Sequence, residues 1–365
     1  MAEVLDGRSD GLRAVLETVA RRLREGQLVA LPTEAGYEAV ASALHADAVA
    51  SLRDLVGPTE PPAVALGAVR EVFDWLPYLR GAGLRLLRAF WPGPLTLVSN
   101  AGAAVGLLRR LPTEVRRDYL MDNHLAVRMP DHDWPGPLSR LLAGPLLAAS
   151  LPGFPRQIDQ IATGREKLAL IVDGGPSVFV KPASIIQITR NWPVAIRDGA
   201  VPWADVQAAA PCRIVFVCTG NTCRSPLAEG LCRSLLSAKV ANAGGNVRPD
   251  SFCVQSAGMA AAPGNLATAE AVAIAQTYGV DLSGHRSQPL SIDLLSQADQ
   301  VFTMTWTQLS LLHHLRGAAG PPPQLLATDG SDIDDPLGGA GEVYRACAVQ
   351  IWQYLNERLP ELLES

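Results

Sequence analysis

Apolar residues recur at helical spacing at Leu12, Val15, Leu16, Val19 and Leu23, which predicts an amphipathic helix with Arg21, Arg22 and Arg24 on its solvated side. The run from Gln27 to Pro32 then reads as a strand. The segments Phe90 to Val98, Leu125 to Pro130 and Ile171 to Gly175 are further apolar runs that alternate with helical stretches. That alternation predicts an α/β domain built on a large sheet. Past residue 210 the pattern is tighter. Ile214-Val215-Phe216-Val217 is short, β-branched and bounded by polar residues, the signature of a buried parallel strand. Leu227, Leu231 and Leu235 follow at four-residue spacing with Ala228, Cys232 and Leu236 beside them, which predicts a helix. The resulting order is strand, tight loop, helix.

Composition divides the chain in the same place. With 365 residues, 48% of them hydrophobic, two domains with full cores are expected. Residues 1–210 hold 22 basic and 22 acidic side chains, which leaves 9 and 14 of the 31 and 36 for the remainder, so the net charge of −5 belongs to the second half. There is no overall cationic field to steer the chain onto nucleic acid, and any RNA contact has to be local. All six cysteines lie after residue 210. A chain of this length does not need disulfide staples, so reduced thiols are expected. No apolar stretch approaches the ~20 residues of a membrane helix, and a soluble cytoplasmic protein is expected. The boundary is placed at 210, giving domains 1–210 and 211–365.

The loop after the predicted strand is Cys218-Thr219-Gly220-Asn221-Thr222-Cys223-Arg224-Ser225-Pro226. Ser225 suits a helix N-cap and Pro226 the first helical position, so the loop ends where free N–H groups and the positive end of the helix dipole gather anions. Gly220 and Asn221 tolerate positive φ, which lets successive N–H groups curl into a nest. Cys218 and Arg224 flank that nest. Its donors and the guanidinium favour thiolate over thiol, and the planar fork of Arg224 fits two oxygens of a phosphoryl group. A cysteine and an arginine at this spacing also arise by chance. The strand before, the Gly-Asn within and the Ser-Pro after set this loop apart. Phosphoryl transfer to sulfur also needs a proton donor. Asp335, in the Pro- and Gly-rich segment Asp329 to Gly339, is assigned as general acid and then as the base that activates water.

These residues resemble a known family. Val217 to Ser225, the Ser256-Ala257-Gly258 turn and Asp335-Pro336 look like the low-molecular-weight protein tyrosine phosphatases, over roughly residues 212 to 360. The resemblance implies a doubly wound domain with a four-stranded parallel sheet, a cysteinyl-phosphate intermediate, and neither metal nor other cofactor. Thr219, Gly220, Asn221, Thr222, Cys223 and Ser225 would bind the phosphate. Ser225 would steady the thiolate, Asn221 would hold the loop, and Cys223 could pair with Cys218 under oxidation. Thr222 stands where tyrosine-directed members carry a bulky aliphatic residue and resembles the arginine phosphatase branch. Leu337 replaces the usual aromatic after Asp-Pro and removes a stacking face for phosphotyrosine. Phosphoarginine on a protein is therefore the preferred substrate, with phosphotyrosine second. Thioredoxin-coupled arsenate reductases share the loop, but Leu290 to Gln297 lacks their resolving cysteines.

The first half resembles the YrdC-like threonylcarbamoyl-AMP synthases over about residues 10 to 205, through Leu31 to Tyr37, the Trp91-Pro92-Gly93-Pro94-Leu95-Thr96 run and Arg128. That family implies a twisted sheet with a basic cavity for ATP, threonine and bicarbonate, serving tRNA modification. Leu55-Val56-Gly57-Pro58 lacks the two cations the family uses, and Ser150-Leu151-Pro152 replaces its serine-alanine-asparagine turn. The domain is accordingly expected to be catalytically degenerate. Thr33, Glu34, Tyr37, Arg128, Ser150, Lys181 and Arg197 remain as a candidate pocket for a nucleotide or small anion. A bifunctional protein with a working synthase half is the alternative, and a non-catalytic interaction protein a further one.

Overall fold

Strands that are apolar at nearly every position become the buried interior of two sheets. The computed structural model describes residues 2–8, 11–100, 106–119, 124–142, 144–189, 192–242, 249–316 and 321–364. The chain divides into two compact units, Met1–Ala210 and Pro211–Ser365.

The first unit carries strands β1 (Glu3–Asp6), β2 (Leu28–Thr33), β3 (Gly36–Ser42), β4 (Ala63–Ala65), β5 (Leu95–Asn100), β6 (His124–Arg128), β7 (Leu146–Ser150), β8 (Leu168–Asp173), β9 (Ser184–Thr189) and β10 (Trp192–Arg197). They form one mixed sheet in the order β1-β8-β2-β3-β7-β4-β6-β5-β9-β10. Its helices are α1 (Leu12–Arg24), α2 (Ala46–Val56), α3 (Val72–Trp75), α4 (Ala82–Phe90), α5 (Thr113–Tyr119), α6 (Pro135–Leu142) and α7 (Trp203–Ala209). Alternation along β2 feeds two cores. Val29 and Leu31 pack with Val15, Leu16, Val19 and Leu23 of α1 and with Leu138 of α6, whereas Leu28 and Ala30 join Leu52 of α2 and Leu86 of α4. Each such side chain contributes roughly 1.5–3 kcal/mol on burial. Leu12, by contrast, is exposed at the start of α1.

The second unit is a four-stranded sheet in the order β12-β11-β13-β14, from β11 (Cys212–Cys218), β12 (Phe252–Gly258), β13 (Gln300–Thr303) and β14 (Gln324–Leu325). Every pairing in it is parallel. Helices α8 (Arg224–Asn242), α9 (Ala269–Thr277), α10 (Ile292–Gln297), α11 (Trp306–Arg316) and α12 (Gly341–Glu364) complete it. Because both faces of β11 are covered, its apolar run is continuous. Ile214 and Phe216 pack with Leu227, Leu231 and Leu355, while Val215 and Val217 pack with Leu295 and Leu312. Strand β11 lies between β12 and β13, so the chain reverses its winding direction there. The crevice at the carboxyl ends of β11 and β13 is where open α/β sheets bind ligands. Among the described residues, no helix is long and apolar enough to cross a membrane.

Candidate active site

Cys218 ends β11, and its Sγ is buried at the floor of the following loop. The backbone amide of Asn221 points at Sγ from 3.2 Å, and the Ser225 hydroxyl lies 2.9 Å away. Ser225 Oγ accepts from Asn221 Nδ2 at 2.9 Å, which frees the hydroxyl proton for the sulfur. A thiolate at this position is thus solvated by the protein instead of by water.

The loop holds this shape because Asn221 is fixed on every side. It is fully buried at φ 55°, its Nδ2 also donates to Ser256 Oγ at 2.9 Å, and its Oδ1 accepts from the Gln288 amide at 2.9 Å. Its carbonyl lies 2.8 Å from His285 Nε2. Ser256 passes the chain on by donating to Glu229 Oε2 at 2.6 Å. Gly258 closes the cradle from β12. A Cβ there would stand 2.7 Å from the Thr219 carbonyl oxygen and 3.0 Å from Asn221 Cβ, so no other residue fits. The amides of Met259 and Ala260 bind the carbonyls of Cys218 and Thr219, each at 2.9 Å.

Two details differ from the reading of the sequence. Helix α8 begins at Arg224, so Ser225 and Pro226 lie inside its first turn and are neither N-cap nor first helical residue. The Ser225 hydroxyl serves the sulfur instead of a helix amide. The left-handed turn falls on Asn221 alone, and Gly220 has no positive φ. An asparagine suffices because its side chain supplies the hydrogen bonds that offset the strain.

Arg224 is buried, donates to the Ile333 carbonyl at 3.1 Å, and forms an ion pair with Asp335 Oδ2. Asp335 is 47% exposed, and its other oxygen accepts from the Leu337 amide at 3.2 Å. The Arg224–Asp335 pair therefore lies at the helix end of the loop that begins with Cys218. Thr222 is partly exposed, with its carbonyl accepting from the Thr268 amide at 3.0 Å. Cys223 Sγ faces Tyr344 OH at 3.4 Å, and burial pushes the Tyr344 hydroxyl up to about 12, so it stays protonated. All six cysteines are free thiols. Burial pushes the Cys347 thiol up to about 12 and Cys232 well above its usual range.

In the first unit the candidate residues separate. Arg128, 3% exposed, pairs with Glu34 at 2.9 Å and with Glu38, and approaches Thr33 Oγ1 at 3.5 Å. Arg197 pairs with Glu60, whose other oxygen accepts from the Ser150 amide at 3.2 Å. Glu38 and Ser150 are register partners on β3 and β7, which makes the two clusters neighbours. Tyr37 lies apart. Its hydroxyl donates to the Gly175 carbonyl at 2.9 Å, and burial pushes it up to about 12. Lys181 forms an exposed pair with Asp198 at 3.4 Å, outside both clusters. Glu38 and Glu60 escape a reading that looks for cations. A glutamate within the otherwise apolar or small run Gly36–Ser42 was the available signal, since a buried carboxylate requires a partner.

A family model described as low molecular weight phosphotyrosine protein phosphatase matches residues 213–365. Another, described as telomere recombination and covering the Sua5, YciO and YrdC proteins, matches residues 21–199. A protein-arginine-phosphatase of Geobacillus stearothermophilus is 35% identical over 160 residues, which are 42% of this chain and 98% of that protein. A low molecular weight protein-tyrosine-phosphatase of Staphylococcus epidermidis is 33% identical over 147 residues, 40% of this chain and 95% of its own. A threonylcarbamoyl-AMP synthase of Pyrococcus abyssi is 30% identical over 192 residues, 51% of this chain. This chain spans 54% of that synthase's length.

Proposed function

The chain belongs to the low-molecular-weight protein phosphatase family through its C-terminal half, and from that premise we propose that it hydrolyses phosphoarginine on proteins, with phosphotyrosine as the poorer substrate, through a phosphocysteine. The observation that carries this reading is the cradle around Cys218, with Arg224 and Asp335 meeting at its mouth. The Cys218 thiolate attacks phosphorus, an S–P bond forms, and the P–N or P–O bond to the substrate breaks. Asp335 gives its proton to the leaving nitrogen or oxygen. Water then attacks the phosphocysteine, its proton passes to Asp335, and phosphate leaves with the thiolate restored. Arg224 exchanges its contact with the carboxylate for two oxygens of the phosphoryl group in both steps.

Thr222 at the wall favours a guanidinium, because a hydroxyl offers it an acceptor where an aliphatic side chain offers a phenol ring its contact surface. Exposed Leu337 supplies no aromatic face. Comparing kcat/KM on phosphoarginine and phosphotyrosine peptides tests the preference. A higher value on phosphotyrosine overturns it. Acid-quenched protein carrying phosphorus on Cys218 tests the intermediate.

For the N-terminal domain, residues 1–210, the reading is a fold retained without adenylate synthesis. Its two well-placed arginines, Arg128 and Arg197, are already neutralised by Glu34, Glu38 and Glu60. Triphosphate would have to displace carboxylates that are largely buried, Glu34 in the β2–β3 turn, Glu38 on β3 and Glu60 in the bend before β4. Formation of threonylcarbamoyl-AMP from ATP, threonine and bicarbonate at a synthase's rate overturns this.

A further inference from the structure

The segment that bears Asp335 is short of intrinsic stiffness. Gly330, Gly338 and Gly339 punctuate it, and Gly330 and Gly338 sit at φ 79° and 80°. Tyr354 of α12 donates to Asp329 Oδ2 at 2.9 Å and Arg224 grips Ile333 and Asp335, and the remaining ties come from the junction between β13 and α11. Trp306, the first residue of α11, is 55% exposed, yet both of its N–H groups are engaged. Its amide donates to Asp332 Oδ1 at 2.7 Å, and its indole Nε1–H donates to the Gly330 carbonyl at 2.8 Å. Two residues earlier, the Met304 carbonyl accepts from the Ile333 amide at 2.9 Å. Two residues later, buried Gln308 donates to Thr219 Oγ1 at 3.2 Å, inside the phosphate loop. One strand-to-helix junction thus touches the phosphate loop on one side and the acid-bearing loop on the other.

We propose that Trp306 is a positioning residue for the proton donor. Its indole N–H ties Gly330 to the junction that borders the phosphate loop and so sets the place from which Asp335 reaches the leaving group. The inference rests on Asp335 acting as the general acid. An exposed tryptophan with no such duty would tolerate loss of its N–H, since its apolar body is largely in water. Loss of the tether lets Asp335 drift, and a misplacement of about 1 Å in a reacting group costs on the order of 10²-fold.

Leaving groups separate this role from a merely structural one, because an acidic phenol departs without a proton and a basic one needs it. Trp306→Phe keeps the ring and the backbone amide but removes the indole N–H. On phenyl phosphate its kcat/KM, which reports the step that expels the phenol, should fall about tenfold, while on 4-nitrophenyl phosphate kcat/KM stays within about twofold of the parent. Asp332→Ala, which removes the other tether, should show the same split. In an Asp335→Asn background, Trp306→Phe should add nothing, since there is no acid left to place. Equal loss of kcat/KM on both esters, or no loss on either, overturns the inference while leaving the phosphatase reading intact. Failure of the parent protein to turn over either ester overturns both.

Discussion

Two buried arginines, one in each half of the chain, face carboxylates, and those carboxylates differ in exposure and so in how readily each would yield to an anion. Arg224 pairs with Asp335, which is 47% exposed on a glycine-rich loop and can yield its place to a phosphoryl group. Arg128 pairs with Glu38, whose side chain is 3% exposed on a central strand and cannot leave without disrupting the sheet. A guanidinium in a crevice is therefore no evidence of ligand binding by itself. What differs is that the counter-ion of Arg224 is half in solvent, whereas those of Arg128 are buried.

Cys218→Ser is the sharpest way to break the contrast. It should lower phosphatase turnover by at least about 10³-fold, measured by phosphate release, with the melting temperature nearly unchanged. Asp335→Asn should cost about 10²-fold in kcat, more on substrates with basic leaving groups. On the closed side, Glu38→Gln should destabilise the first unit by roughly 1.5–3 kcal/mol in denaturant unfolding, because it leaves buried Arg128 with Glu34 as its remaining carboxylate. Glu60→Gln frees Arg197 in a less buried place. It should turn an undetectable ATP signal in calorimetry into weak binding, with a gain of about tenfold or more from one released charge. Thr222→Ile should have the smallest effect, shifting the phosphotyrosine to phosphoarginine ratio by about tenfold toward phosphotyrosine.

How much of this was legible depended on the range of the interactions. The C-terminal loop could be read because its chemistry is local. Cys218, Asn221, Arg224 and Ser225 lie within eight consecutive positions, and strand and helix periodicity fix what comes before and after. The large mixed sheet of the first half could be read as a class from its apolar runs. Its order could not, because β8 inserts between β1 and β2 and no periodicity encodes that pairing. The pairing of Arg128 and Arg197 with carboxylates was hidden for the same reason. Glu38 reaches Arg128 across the sheet, and Glu60, in the bend before β4, reaches Arg197 across 137 positions of sequence. The start of α8 at Arg224 was misjudged because Ser-Pro is a strong helix-start signal, and here the serine is drawn to the sulfur instead.

The grip of Glu60 on both the Arg197 guanidinium and the Ser150 amide bears on how such a fold changes over generations. Loss of that one carboxylate strips a partner from the guanidinium and from the amide at once, so the change lowers stability as it frees the charge. A first substitution is therefore tolerated only where stability is held in reserve. The Glu–Arg lattice thus works as a ratchet: a lineage that acquires it keeps the architecture and loses the easy path back.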